Sequence, residues 1–308
     1  MRKTFVVLGV LFLVSMFVTA SPAVAQTFTT IDDPLGSTTP YGISGNNIVG
    51  DYVDSSGNIH GFVYNGSTYT TLDDPLATNG TEATGISGNS IVGPYFGSQG
   101  ADNGFLFNGS TYTTLNAPSA YSTMTRGISG NNIVGTGDYD SPNAWGFLYN
   151  GSTYSSIADP LGWRTEANGI SGSNIVGTYY DASGNLHGFL FNGSTYTTLD
   201  DPLGVKGTQA WGISGTDIVG NYYDSSGESH GFLYNGSTYT TLDTLLGNGT
   251  QVYAVFGIDG NNIVGCYSDS SGDHGFAAAV PEPSAFALVA VGAIGLLGHA
   301  RGRRRRNG

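Results

Sequence analysis

Residues 42–75 read GISGNNIVGDYVDSSGNIHGFVYNGSTYTTLDDP, and most of the chain is that phrase rewritten. The opening glycine recurs at Gly85, Gly127, Gly169, Gly212 and Gly257, so successive copies lie 43, 42, 42, 43 and 45 residues apart. Six copies at a nearly constant period specify a repeat fold, in which each unit buries its apolar face against the next. No 3.6-residue helical period runs through residues 26–280, and the apolar residues fall at strand spacing instead. Four short strands are expected per copy: one ending in Gly-Ile-Ser (81–87 in the second copy), then 48–53, 60–64 and 68–72. β-Branched and aromatic residues suit these segments to a pleated surface. Asn65-Gly66 between apolar runs predicts a hairpin with a type I′ turn, and Asp73-Asp74-Pro75 ends the fourth strand because proline cannot donate to the ladder.

The two ends decide between an open stack and a ring. The sixth copy stops after its third strand, at His274-Gly275-Phe276-Ala277-Ala278-Ala279-Val280. Its missing fourth strand stands at the other end, where Thr27-Phe28-Thr29-Thr30-Ile31-Asp32-Asp33-Pro34 matches Thr68-Tyr69-Thr70-Thr71-Leu72-Asp73-Asp74-Pro75. A linear stack has no use for that division. A ring gains from it, since the N-terminal strand pairs into the last blade and removes two open edges. The expected fold is therefore all-β, a closed six-bladed β-propeller of four-stranded blades over residues 26–280, with the N-terminal strand completing the last blade. A β-solenoid, with shorter rungs and separate caps, is the alternative.

Of the ten basic residues only Arg126, Arg164 and Lys206 lie inside the repeats, against 22 acidic ones, so the ring carries a net charge of −19. That charge repels phosphate backbones and excludes nucleic acid as an expected partner. Cys266 is the only cysteine, so no intrachain disulfide forms, and nothing around it supplies the base or positive charge that a reactive thiol needs.

Residues 1–25 have Arg2-Lys3, an apolar run and Ala23-Val24-Ala25, the layout of a secretory signal peptide cleaved after Ala25. At the other end, residues 281–308 comprise Pro281-Glu282-Pro283, an apolar run over 284–297, and an arginine cluster ending Arg303-Arg304-Arg305-Arg306. The arginines place that side of the run in the cytoplasm and imply transient membrane anchoring through a C-terminal helix. This tripartite tail resembles the PEP-CTERM sorting signal of Gram-negative bacteria. The resemblance implies Pro281, Glu282 and Pro283 as the recognition motif for an exosortase-like protease, and an association with exopolysaccharide. The repeats resemble the HAF family of extracellular repeats, through His60-Gly61-Phe62, Gly85-Ile86-Ser87 and Ile91-Val92-Gly93, with glycine in place of the family's central alanine. That family brings an extracellular address and no catalytic residue.

His60, His187, His230 and His274 occupy one repeat position on a strand expected to lie away from the axis, so a structural bond to a loop is expected. Asp54, Asp181, Asp224 and Asp269 open Asp-Ser-Ser-Gly or Asp-Ala-Ser-Gly loops, where aspartate bonds the backbone two residues on; weak calcium binding is the lesser reading. The loops lack the Ser-x-Asp-x-Gly-x-Thr-Trp box of sialidase-like propellers.

The residues that vary while their surroundings stay fixed are more informative. Just before the repeat glycine stand Tyr41, Thr84, Arg126, Asn168, Trp211 and Phe256; two positions earlier stand Thr39, Glu82, Met124, Glu166, Gln209 and Ala254. Strand alternation puts both rows on one face. With the N-terminal segment outermost, this strand is innermost and the face looks into the central channel. Tyr41, Glu82, Arg126, Glu166, Trp211 and Phe256 are therefore the expected ligand-binding residues of the channel mouth. No metal, cofactor or catalytic constellation is recognised. The expected function is an exported, non-enzymatic surface or exopolysaccharide-matrix protein, binding a polysaccharide or a matrix protein. The alternative is a polysaccharide hydrolase or lyase, for which Glu82 and Glu166 are the candidate carboxylates.

Overall fold

The structure is a computed structural model that describes residues 28–97, 102–139, 141–243 and 251–280. The signal peptide of residues 1–25 and the tail of 281–308, with its expected membrane helix, lie outside the described residues. Among the described residues no helix is long and apolar enough to cross a membrane.

Six antiparallel sheets stand in a ring. The first blade is β2 (Gly36–Ser44), β3 (Asn47–Asp54), β4 (Ile59–Tyr64) and β5 (Tyr69–Leu72), paired in that order. The second contains β6 (Gly80–Thr81) and β7 (Gly85–Ser87), both on β8 (Ser90–Phe96), followed by β9 (Asp102–Phe107) and β10 (Tyr112–Leu115). β11 (Thr123–Ser129) to β14 (Tyr154–Ile157), β15 (Gly162–Ser171) to β18 (Tyr196–Leu199), and β19 (Thr208–Ser214) to β22 (Tyr239–Thr241) make the next three. In the sixth, β23 (Gln251–Asp259), β24 (Asn262–Asp269) and β25 (Gly272–Ala279) are completed by β1 (Phe28–Ile31) from the other end of the chain. β1 takes the register of any other fourth strand: Ile31 faces Gly275 as Leu72 faces Gly61.

Each blade is anchored by one phenylalanine of its third strand, Phe62, Phe105, Phe147, Phe189, Phe232 and Phe276, all fully buried. The glycine of Ile-Val-Gly makes room for it: a Cβ on Gly50 would lie 2.7 Å from the Phe62 ring and 2.0 Å from the Thr39 carbonyl oxygen. The blades meet at the axis through the glycine of Gly-Ile-Ser, where a Cβ on Gly85 would sit 2.6 Å from the Arg126 carbonyl oxygen and 3.1 Å from the Gly127 Cα. The same close approach passes from Gly127 to Gly169, Gly212, Gly257, Gly42 and back to Gly85, so the circle closes.

A second circle runs beside it. The Gly88, Gly130, Gly172, Gly215 and Gly260 amides donate to the hydroxyls of Ser44, Ser87, Ser129, Ser171 and Ser214 in the preceding blade, at 3.0 to 3.3 Å. Gly45 closes it on Asp259 Oδ2 at 2.7 Å, the carboxylate standing where the other copies have serine.

The expected type I′ turn at Asn65-Gly66 is not what forms. Only Gly66 has positive φ, +93°, and the Asn65 side-chain carbonyl instead accepts the Ser67 and Thr68 amides at 3.0 and 2.9 Å. The asparagine is there as a side-chain turn, not as a left-handed residue.

Candidate functional site: the axial cavity

In five blades the pairing of the first and second strands slips by one residue, for instance between Pro40 and Gly42 and between Thr125 and Gly127. In the second blade the strand breaks at the same place, between β6 and β7. A bulge drops one residue from the ladder and re-aims its side chain. The residues at this position are Tyr41, Thr84, Arg126, Asn168, Trp211 and Phe256, one per blade, and together they line a cavity of about 240 Å³ on the ring axis. The Gly-Ile pairs that follow them, from Gly42-Ile43 onward, line a shallow funnel sharing those walls.

The cavity has two unlike walls. Trp211, Phe256 and Tyr41 come from the fifth, sixth and first blades and form a continuous arc, with ring centroids 5.7 and 5.2 Å apart in edge-on contacts. The Trp211 tip is satisfied away from the cavity: its Nε1 donates to Asn221 Oδ1 at 2.6 Å, and Asn221 in turn donates to Ser229 Oγ at 3.0 Å. The Tyr41 phenol lies beside Asp51, and burial first and then that carboxyl raise its pKa. Phe256 needs no such partner, and the matching second-strand residue is Cys266, whose thiol burial pushes up to about 12. A thiol so buried is no nucleophile near neutral pH.

The opposite wall is polar. Arg126 lies over the rings of Tyr139 and Trp211, 4.7 and 5.6 Å from their centroids. Thr84 Oγ1 donates to the Thr125 carbonyl at 2.8 Å, and Asn168 Nδ2 to the Ala210 carbonyl at 3.0 Å. Asn168 is 5% exposed, and its Oδ1, like Arg126 Nε, is buried without a hydrogen-bond partner among the described residues.

Four of the six expected site residues, Tyr41, Arg126, Trp211 and Phe256, are thus brought together, and Thr84 and Asn168 complete the set. Glu82 and Glu166, expected beside them, do not line the cavity. Their row pairs with the second strand one step below: Thr39 with Asp51, Met124 with Thr136, Glu166 with Thr178, Gln209 with Asn221, Ala254 with Cys266. Alternation assumes an unbroken ladder, and the bulge separates the two rows. Glu166 is buried in an ion pair with Arg164 at 2.8 Å. Glu82 is raised to about 7 by burial and then by Asp51, against the opposing charge of Arg126, and Asp51 is raised to about 6 by burial, against the Tyr41 hydrogen bond. The interacting carboxyl pair near the axis is therefore Asp51 with Glu82, not Glu82 with Glu166.

The histidines sit on the outer half of the blades and bind loops, as their repeat position implied. His60 Nδ1 is 3.0 Å from Asp73, its Nε2 is 3.5 Å from Asp54, and the ring stacks on Tyr52. His274 makes the same bridge across the closure, 3.0 Å from Asp32 beyond β1 and 3.4 Å from Asp269. Asp54 Oδ1 accepts the Ser56 and Asn58 amides, so the loop is held by its own aspartate. Asp224, Glu228 and His230 offer ligand atoms within 4.8 Å of one another, in one of these loops.

Residues 279–306 match the PEP-CTERM protein-sorting motif, and Pro281, Glu282 and Pro283 fall inside that match. The protein is exported, and its tail is a substrate for an exosortase. No curated protein matches the chain. Among solved structures, the β-propeller domain of the Trilobed protease from Pyrococcus furiosus is similar at a TM-score of 0.50 and 7% identity, over 79% of this chain and 82% of that one. An Aleuria aurantia lectin in complex with α-methyl-L-fucoside has a TM-score of 0.44 and 11% identity, covering 82% and 97%. Trypanosoma rangeli sialidase has a TM-score of 0.48 and 8% identity, covering 84% and 60%. At such identities the likeness is one of fold: the chain is a β-propeller with a sorting tail.

Proposed function

We propose that the protein is a non-enzymatic binding propeller of the cell surface or extracellular matrix, and that its ligand site is the axial cavity. The observation that carries this reading is the six-residue cavity lining: one residue per blade, different in every copy, converges on the axis while the Gly-Ile-Ser phrase that follows it is held nearly constant. An aromatic arc facing a polar wall suits a sugar, whose C–H face stacks on rings while its hydroxyls seek hydrogen bonds. The exopolysaccharide link of the sorting family favours an extracellular glycan over a peptide. A glycan array probed with residues 26–280, with Trp211→Ala and Arg126→Ala alongside, tests it. Binding that falls at least tenfold in Trp211→Ala is expected; binding that survives both substitutions sinks the axial site, and an empty array sinks the glycan reading in favour of a protein partner.

A second reading, a polysaccharide hydrolase or lyase, is favoured by one observation, the Asp51 and Glu82 carboxyls raised toward neutrality beside Tyr41. Product release from a polysaccharide panel that disappears in both Asp51→Asn and Glu82→Gln would replace the first reading with this one.

A further inference from the structure

The two walls of the axial cavity say more about its ligand than that it is a sugar. Arg126 is the one basic residue in the lining. Arg164, by contrast, has its charge matched by Glu166 at 2.8 Å. Arg126 makes no ion pair among the described residues: its guanidinium rests on the faces of Tyr139 and Trp211, and its Nε is buried and unused. Stacking of this kind fixes the plane of a guanidinium while leaving its N–H edge free, the arrangement that receives a carboxylate through two parallel hydrogen bonds.

The neighbours on this wall are neutral. Thr84 has committed its proton to the Thr125 carbonyl and presents lone pairs; Asn168 gives one N–H to the Ala210 carbonyl and keeps the other, while its Oδ1 is buried. The wall therefore offers one charged donor fork flanked by a hydroxyl acceptor and an amide. A hydroxyl suits an acceptor, whereas the fork is left without its best partner by any neutral sugar. Burying a cation's donors unpaired costs more than leaving a neutral donor unpaired.

We infer that the cavity takes a carboxylate-bearing sugar, a uronic acid unit of an acidic polysaccharide, with its carboxylate on Arg126, hydroxyls on Thr84 Oγ1 and the Asn168 amide, and its C–H face on the Trp211–Phe256–Tyr41 arc. This rests on the glycan reading of the site and narrows it. Glu82, the carboxyl coupled to Arg126, is raised to about 7, first by burial and then by Asp51, so it competes less for the guanidinium below that pH. A cavity of about 240 Å³ holds one such unit and not a polysaccharide chain, so the specificity is for a single residue.

The test is calorimetric titration of residues 26–280 with oligogalacturonate and with the same oligomer after reduction of its carboxyls to alcohols. The acidic oligomer should bind at least tenfold more tightly. Arg126→Gln should erase that difference, Arg126→Lys should keep part of it, and Trp211→Ala should weaken both ligands; an unchanged melting temperature in each variant excludes misfolding. Equal affinities for the two oligomers, or a preference unchanged in Arg126→Gln, would overturn the acidic specificity while leaving a neutral-glycan site standing. Loss of binding to both oligomers and to every glycan of the array would overturn the parent reading as well.

Discussion

Asp51 and Asn221 occupy the same repeat position, each beside an aromatic ring that faces the cavity: Asn221 accepts the Trp211 indole N–H, and Asp51 lies next to the Tyr41 phenol. Where the lining residue is Phe256 the position is filled by buried Cys266. The second strand is therefore polar at this position where the lining ring carries a polar tip, Tyr41 or Trp211, and is cysteine where it carries none, Phe256. That arrangement has a cost in blade one, since Asp51 is 7% exposed and its Oδ1 has no partner among the described residues. Asp51 and Glu82 are both raised, from 3.8 and 4.5 to about 6 and about 7. In the folded protein they keep protons that the unfolded chain has already released, so the stability they contribute is full below about pH 4 and is lost as pH rises through 6 to 7. A shift of about two pH units corresponds to about 3 kcal/mol for an isolated group. Asp51→Asn should accordingly stabilise the ring by roughly 1 to 3 kcal/mol at pH 8 and change little at pH 4 in denaturant melts; the same difference at both values would contradict the assignment.

At the level of the strand, β1 serves as an ordinary fourth strand. It brings Ile31, 1% exposed, into the core of the seam, stacks Phe28 on Phe276, and leads to the Asp32 bridge with His274. His274 is held above the ordinary histidine range by Asp32 first, against burial, with Asp269 adding to the effect. Deleting residues 26–34 removes all of this at once and opens the β25 edge of the sixth blade. The melting temperature should fall by about 10 °C or more, on the order expected for several kcal/mol in a domain of this size; an unchanged melt would disprove closure. This strand is legible in the sequence alone, because its eight residues repeat the Thr68–Pro75 phrase almost letter for letter. So are the blade count, the turn aspartates and the outward place of the histidines. The bulge is not. It has no residue signature, since glycine follows it in every copy for a different reason, the close approach of backbone to backbone where neighbouring blades meet. Without the bulge, alternation places Glu82 and Glu166 on the same face as Arg126; Thr84 and Asn168 stand in the Arg126 row but carry neither a charge nor a ring to single them out. The second-strand row of Asp51 and Asn221 is hidden too, because its variation looks arbitrary until paired with the lining residue of the same blade.

Across the whole molecule, two circles of interaction, glycine against glycine and amide against serine hydroxyl, lock the blades at the end of the ring where the Gly-Ile funnel opens. The chain enters and leaves at that same end: Phe28 faces Ala278, and Ala279 pairs with Asn262 next to the Gly260 turn. Val280, the last described residue, is still bonded to the Asn261 carbonyl at 2.8 Å. The central claim, that the axial cavity is where this propeller meets its ligand, is open to one direct measurement. Trp145, Trp163 and Trp211 are the three tryptophans, and only Trp211 lines the cavity. In a ¹H–¹⁵N spectrum of residues 26–280 titrated with oligogalacturonate and with neutral gluco-oligosaccharides, the Trp211 indole resonance should move in saturable steps while those of Trp145 and Trp163 stay fixed. A saturable shift of Trp145 or Trp163 with Trp211 unmoved would place recognition on the outside of the blades and contradict the account.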